Sequence, residues 1–168
     1  VAPLGDSELQ GRWWSWAASE PEGTNPVSDE DGRDCARRQP GDVWFLAGTF
    51  GTEAKRRCTV PAGVPLAFPL VNSYAVDKSG CAGFMVDAAG SATLDGKELA
   101  ARRIDAAPIV VTGLEGNAVT GEAGSVLAQG CGIWVQVPAP AEGRHVLEIN
   151  GRSGEFGVGV VYELTVAG

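Results

Sequence analysis

Four cysteines, Cys35, Cys58, Cys81 and Cys131, are spread through the chain, and no two of them form a Cys-x-x-Cys pair. Zinc sites are usually assembled from closely spaced Cys and His, and thioredoxin-type exchange needs Cys-x-x-Cys. The single histidine, His145, is remote from all four. An even count at wide spacing points instead to two disulfides, and so to an oxidising compartment outside the cytosol. Spacing alone leaves three pairings open. The expected one is Cys35–Cys58 with Cys81–Cys131, because each bridge would pin an irregular segment to a neighbouring strand region. For loops of these lengths the entropic contributions would be roughly 3 and 4 kcal/mol.

Acid–base chemistry has little to draw on. His145 lies in Gly143-Arg144-His145-Val146-Leu147-Glu148-Ile149-Asn150, where a period of two groups it with Leu147 and Ile149 on the expected core side of a strand. A half-buried histidine hydrogen-bonded to backbone is the expectation. A Ser–His–Asp arrangement lacks its nucleophile motif, since Gly-x-Ser-x-Gly is absent. Glycoside hydrolysis needs two carboxyl groups facing each other across a cleft. Glu53, Asp77, Asp87, Asp105, Glu148, Glu155 and Glu163 are all eligible, and the sequence does not choose between them.

Asp29, Asp31 and Asp34 sit in the run Asp29-Glu30-Asp31-Gly32-Arg33-Asp34 and offer hard oxygens to a calcium ion, with Gly32 permitting a sharp turn. The run is not an EF-hand: its glycine is at the wrong offset and no glutamate closes a twelve-residue loop. Arg33, Arg37 and Arg38 compete for the same carboxylates as ordinary ion pairs. No other cofactor is implied.

Five tryptophans invite a carbohydrate-stacking role, because flat rings pack on sugar faces. Trp13 and Trp16 fall on an apolar helical stripe and Trp44 in a strand apolar on both faces, so these three read as core. Trp14 and Trp134 are the expected ligand-binding candidates.

The elements that must position these side chains are mostly strands. A helix over about 7–18 opens the pattern, with Asp6 or Ser7 as cap, a capping box in Ser7-Glu8-Leu9-Gln10, and Leu9, Trp13, Trp16 and Ala17 on one face. Residues 19–42 read as a long polar loop, punctuated by glycine and proline and tethered by Cys35. From Val43 the signal is β. Val43–Ala47 is apolar on both alternating faces, as in a central covered strand. Further runs follow at 56–60, 65–71, 109–112, 126–129 and 133–137. Asp95-Gly96 between two short β runs predicts a tight hairpin, and Val158, Val160, Tyr162, Leu164 and Val166 share one face of a closing strand. The expected fold is mainly β: a single β-sandwich or jelly-roll-like domain spanning 1–168, with its strands over about 43–167, an N-terminal amphipathic helix and two disulfides.

Composition narrows the function classes. A chain of 168 residues, 44% of them hydrophobic, has enough material for one folded domain. Its net charge of −8 argues against nucleic acid or an anionic membrane as partner. No run approaches the roughly 18 apolar residues of a membrane span, so no membrane insertion is expected. The start at Val1-Ala2-Pro3 reads as a processed terminus. Ten arginines against three lysines, with abundant Ala and Gly, suggest a GC-rich bacterial source.

The order of several segments is itself informative. Trp13-Trp14-Ser15-Trp16-Ala17, Asn25-Pro26-Val27 and Gly41-Asp42-Val43-Trp44-Phe45-Leu46-Ala47-Gly48-Thr49-Phe50 are followed by Arg57-Cys58-Thr59-Val60-Pro61-Ala62-Gly63 and Phe68-Pro69-Leu70-Val71-Asn72. Gly143-Arg144-His145 and Val161-Tyr162-Glu163-Leu164-Thr165-Val166 close the series. Together they resemble a family of secreted bacterial proteins, of actinobacterial type, with no assigned activity. The resemblance implies a secreted one-domain protein and brings no catalytic residues with it.

The expectation is therefore a secreted, non-catalytic binding or assembly module, acting on a cell-surface glycan or another secreted protein, including as a small subunit of a larger extracellular particle. The alternatives are an extracellular hydrolase with a carboxylate pair and a calcium-dependent surface protein.

Overall fold

Helix α1 (Asp6–Ala17) forms where the Leu9, Trp13, Trp16 and Ala17 stripe predicts it, and all four side chains are buried. The computed structural model describes residues 3–168; Val1 and Ala2, read as the start of a processed chain, lie outside them. The capping box does not form. Gly5 is the cap residue, with no side-chain bond. Gln10 instead turns inward, donating to the carbonyls of Asp6 (3.2 Å) and Gly130 (3.1 Å). A buried amide with a strand carbonyl in reach is satisfied there rather than at the helix start.

Nine strands follow: β1 (Trp44–Phe45), β2 (Glu53–Pro61), β3 (Leu66–Ala75), β4 (Ala89–Leu94), β5 (Lys97–Glu98), β6 (Arg102–Gly113), β7 (Gly124–Val137), β8 (Gly143–Ser153) and β9 (Phe156–Ala167). They make a four-stranded sheet, β1-β3-β7-β6, and a five-stranded sheet, β2-β9-β8-β4-β5. Each sheet is mixed, because β1 runs parallel to β3 and β2 parallel to β9. The expected hairpin joins β4 to β5, with Asp95 (φ 52°) and Gly96 (φ 82°) in the left-handed conformation that a tight two-residue turn requires. A second helix, α2 (Lys78–Val86), has no counterpart in the sequence reading. Asp77 caps it by accepting the Gly80 N–H at 3.1 Å, and it carries Cys81 and Met85 into the core.

Two apolar layers hold the molecule together. Leu66, Phe68 and Leu70 of β3 and Ile133 and Val135 of β7 meet Leu147, Ile149, Val160, Tyr162 and Leu164 of the five-stranded sheet. On the opposite face of the four-stranded sheet, α1 packs against Ile104, Ile109, Val111 and Trp134. The architecture is thus helix on sheet on sheet. Val43–Ala47 is covered on both faces as expected, but β1 is an edge strand, not a central one. The side-chain amide of Gln39 occupies the place of the missing neighbour: Oε1 accepts the Phe45 N–H and Nε2 donates to the Phe45 carbonyl, each at 2.8 Å.

Both disulfides have the expected pairing. Cys35–Cys58 ties the long loop to β2, and Cys81–Cys131 ties α2 to β7. Among the described residues no helix is long and apolar enough to cross a membrane.

Candidate functional site

The loop before β1 is ordered from within. Asn25 donates to the carbonyls of Ala17 (2.6 Å) and Glu20 (2.9 Å). The buried Asp29 carboxylate accepts the N–H groups of Asp31, Gly32 and Asp34. Arg56, almost wholly buried on the inner side of β2, donates to the carbonyls of Val27, Asp29, Ala47 and Gly48.

That arrangement corrects the calcium reading of Asp29, Asp31 and Asp34. Asp29 spends its oxygens on main-chain donors. Asp31 pairs with Arg33 at 2.7 Å and is held far below the usual carboxylate range by that hydrogen bond. Asp34 pairs with Arg37 at 2.9 Å. Among the described residues no three His, Cys, Asp or Glu side chains group so as to hold a metal ion.

The two tryptophans offered as ligand platforms are also corrected, since both are buried between α1 and the four-stranded sheet. Trp134 stacks edge-on against Trp13 with centroids 5.6 Å apart and donates Nε1–H to Gln10 Oε1 at 3.2 Å. Trp14 meets Tyr74 edge-on at 4.8 Å. A sheet covered on both faces leaves neither ring free for a sugar.

His145 lies half-buried at the margin of β8 with an acceptor on each ring nitrogen: Asp95 Oδ2 at Nδ1 and the Ala141 carbonyl at Nε2, both at 2.6 Å. The hydrogen bond to Asp95, then that to Ala141, raises its pKa; Asp95 is lowered by His145 and by the Val146 N–H. The pair clasps the β4–β5 turn to the segment before β8.

The carboxylates fall into two sets. Asp77 caps α2 and Asp105 pairs with Arg103 at 2.9 Å. Glu53, Glu148 and Glu163 share the outer face of the five-stranded sheet. There Glu163 pairs with Arg57 at 3.1 Å and Glu148 accepts from Thr93 at 3.3 Å. All three project from one face of one sheet, rather than from opposite sides of a cleft as a hydrolase's carboxylate pair would.

Among the described residues that outer face is the one broad sheet surface left to solvent, because α1 and the five-stranded sheet cover the other sheet on both sides. Its side chains stand in register across the strands: Thr59, Thr165 and Arg144 in one row, Arg57, Glu163 and Val146 in the next, then Lys55, Val161, Glu148 and Thr93. A hollow of about 570 Å³ lies over Arg57, Thr59, Arg144 and Thr165. A second, of about 410 Å³, lies over Glu53, Gly159, Asn150, Ser91 and Arg152. Of this second group the sequence reading singled out only Glu53; its members come from four strands, β2, β4, β8 and β9. A larger apolar hollow of about 700 Å³ runs between α1 and β6, beside Gly11, Val110 and Leu127.

Fold and surface together define a disulfide-bridged β-sandwich protein with one polar sheet face presented to solvent. Comparison with protein-family models, with curated proteins and with solved structures returned no match to this chain.

Proposed function

We propose that the chain is a secreted, non-catalytic binding or assembly module whose ligand surface is the outer face of the five-stranded sheet. Its partner is a cell-surface glycan or another secreted protein, met singly or as a subunit of a larger extracellular particle. The observation that carries this reading is the surface left over by folding: a polar sheet face with hollows, one of them lined by side chains that have no partner among the described residues. Glu53, Asn150 and Arg152 are exposed, and their side chains make no hydrogen bond or ion pair among the described residues. Two disulfides support an oxidising, extracellular setting.

The test is retrieval of the native protein with whatever it binds, compared with a variant carrying Arg57→Ala, Thr59→Ala, Arg144→Ala and Asn150→Ala together. Loss of the partner in the variant, with an unchanged melting temperature, supports the reading. Retention of every ligand sinks it, as does turnover by the wild type on a panel of glycans, esters and peptides.

A further inference from the structure

Gly157 and Gly159 point outward from β9, and packing explains neither. Their φ values lie outside the left-handed region. The β8–β9 register runs without a shift, so no bulge demands them. A Cβ at Gly157 would meet nothing within 4 Å, and one at Gly159 only the Glu53 side chain at 3.3 Å and the tip of Asn150 at 3.8 Å. The neighbouring Gly151 is different: its Cβ would lie 1.9 Å from the Leu70 carbonyl oxygen, so close approach of the two sheets dictates it. Glycine in a strand interior costs roughly 0.5–1 kcal/mol and, without a bulge or bend, marks a place where something else comes close.

What the two glycines create is depth. They floor a trough walled by Glu53 on β2, Asn150 and Arg152 on β8, and Ser91 on β4. Glu53, Gly159, Asn150 and Ser91 are in register across four strands. At about 4.8 Å per strand the row is about 14 Å long, roughly two to three pyranose rings.

We propose that this trough binds an uncharged saccharide chain. The inference rests on the outer face being the binding surface and supplies its ligand class. A carboxylate, an amide and a hydroxyl in one row, with the Arg152 guanidinium in the next beside Gly157, offer both donors and acceptors, which matches vicinal hydroxyls. The opposite charges of Glu53 and Arg152 give an anion or a cation one repulsive neighbour each, while a neutral polyol uses both.

The experiment screens the intact chain on an array of neutral oligosaccharides and follows any hit by calorimetry with Asn150→Ala, Gly159→Leu and, as a control off this face, Glu115→Ala in the exposed β6–β7 loop, each checked for folding by circular dichroism. The expected result is roughly tenfold weaker binding with Asn150→Ala, the loss of one good hydrogen bond, no binding with Gly159→Leu, and unchanged binding with Glu115→Ala. Binding kept by both Asn150→Ala and Gly159→Leu overturns the trough. No neutral glycan bound by the wild type overturns the saccharide assignment; the face itself then stands or falls on the fourfold variant above.

Discussion

Arg56 and Tyr162 stand directly opposite each other on the parallel strands β2 and β9, both facing inward, and the guanidinium donates to the tyrosine hydroxyl at 2.9 Å. The same hydroxyl donates to the Ala47 carbonyl at 3.0 Å. One buried cation therefore gathers the long loop, the segment after β1 and the centre of the five-stranded sheet. Arg56→Met leaves the carbonyls of Val27, Asp29, Ala47 and Gly48 without their donor, and the expected loss is about 3–5 kcal/mol. Tyr162→Phe removes one member of the network and loses about 1–2 kcal/mol. Urea unfolding with an unchanged slope measures both; equal, small losses would show that the network is not cooperative.

The His145–Asp95 clasp makes stability depend on pH from both sides. The folded pKa of His145 is raised, so its contribution is complete below the unfolded value of about 6.5 and is lost as pH rises through the folded value. Asp95 is lowered, so its contribution is complete above about 3.9 and is lost as pH falls through the folded value. The difference in melting temperature between wild type and His145→Asn is therefore expected to be greatest between about pH 4 and 6.5. A difference that grows above pH 7 would contradict the clasp.

Asp29 organises backbone through three main-chain donors. Asp29→Ala strands three N–H groups in a buried turn and is expected to lose about 1–3 kcal/mol. Chelator and added calcium should both leave the wild-type melting temperature unmoved, since a ligand that binds only the folded state would raise it.

The glycines of the five-stranded sheet divide sharply. Gly151→Ala drives a methyl into the Leu70 carbonyl and is expected to cost more than about 4 kcal/mol or prevent folding. Gly157→Ser meets open space and should change stability by less than about 0.5 kcal/mol, or raise it. Thermal melts of the two variants decide this, and a destabilising Gly157→Ser would remove the contrast on which the trough was recognised.

Local chemistry was the most legible part of the sequence. Asp95-Gly96 specifies its turn whatever surrounds it, and the Leu9-Trp13-Trp16 stripe specifies a buried helix face. The failures involve contacts that apolar periodicity does not encode, several of them between residues distant in the chain. The residues of α2 include Gly80 and Gly83 and give little apolar periodicity; the helix is fixed by the Asp77 cap and the bridge from Cys81 to Cys131. Val43–Ala47 reads as central because both of its faces are apolar, and nothing local shows that Gln39 stands in for a strand. Trp14 and Trp134 read as free because the sequence does not show that one sheet is covered twice. The trough draws on residues near 53, 91, 150 and 159, and only strand order brings them together.

The position of β9 bears on how this molecule comes into being. It is the last strand in chain order, yet it lies between β2 and β8, its neighbour on one side drawn from residues about a hundred positions earlier. Until residues 156–167 arrive, β2 has no ladder and Arg56 no tyrosine opposite it. Pairing across so long a separation is slow, so the five-stranded sheet stays incomplete until β9 is inserted. The closing strand is thus the keystone of the fold, and a truncation before Phe156 should leave a collapsed chain without a five-stranded sheet.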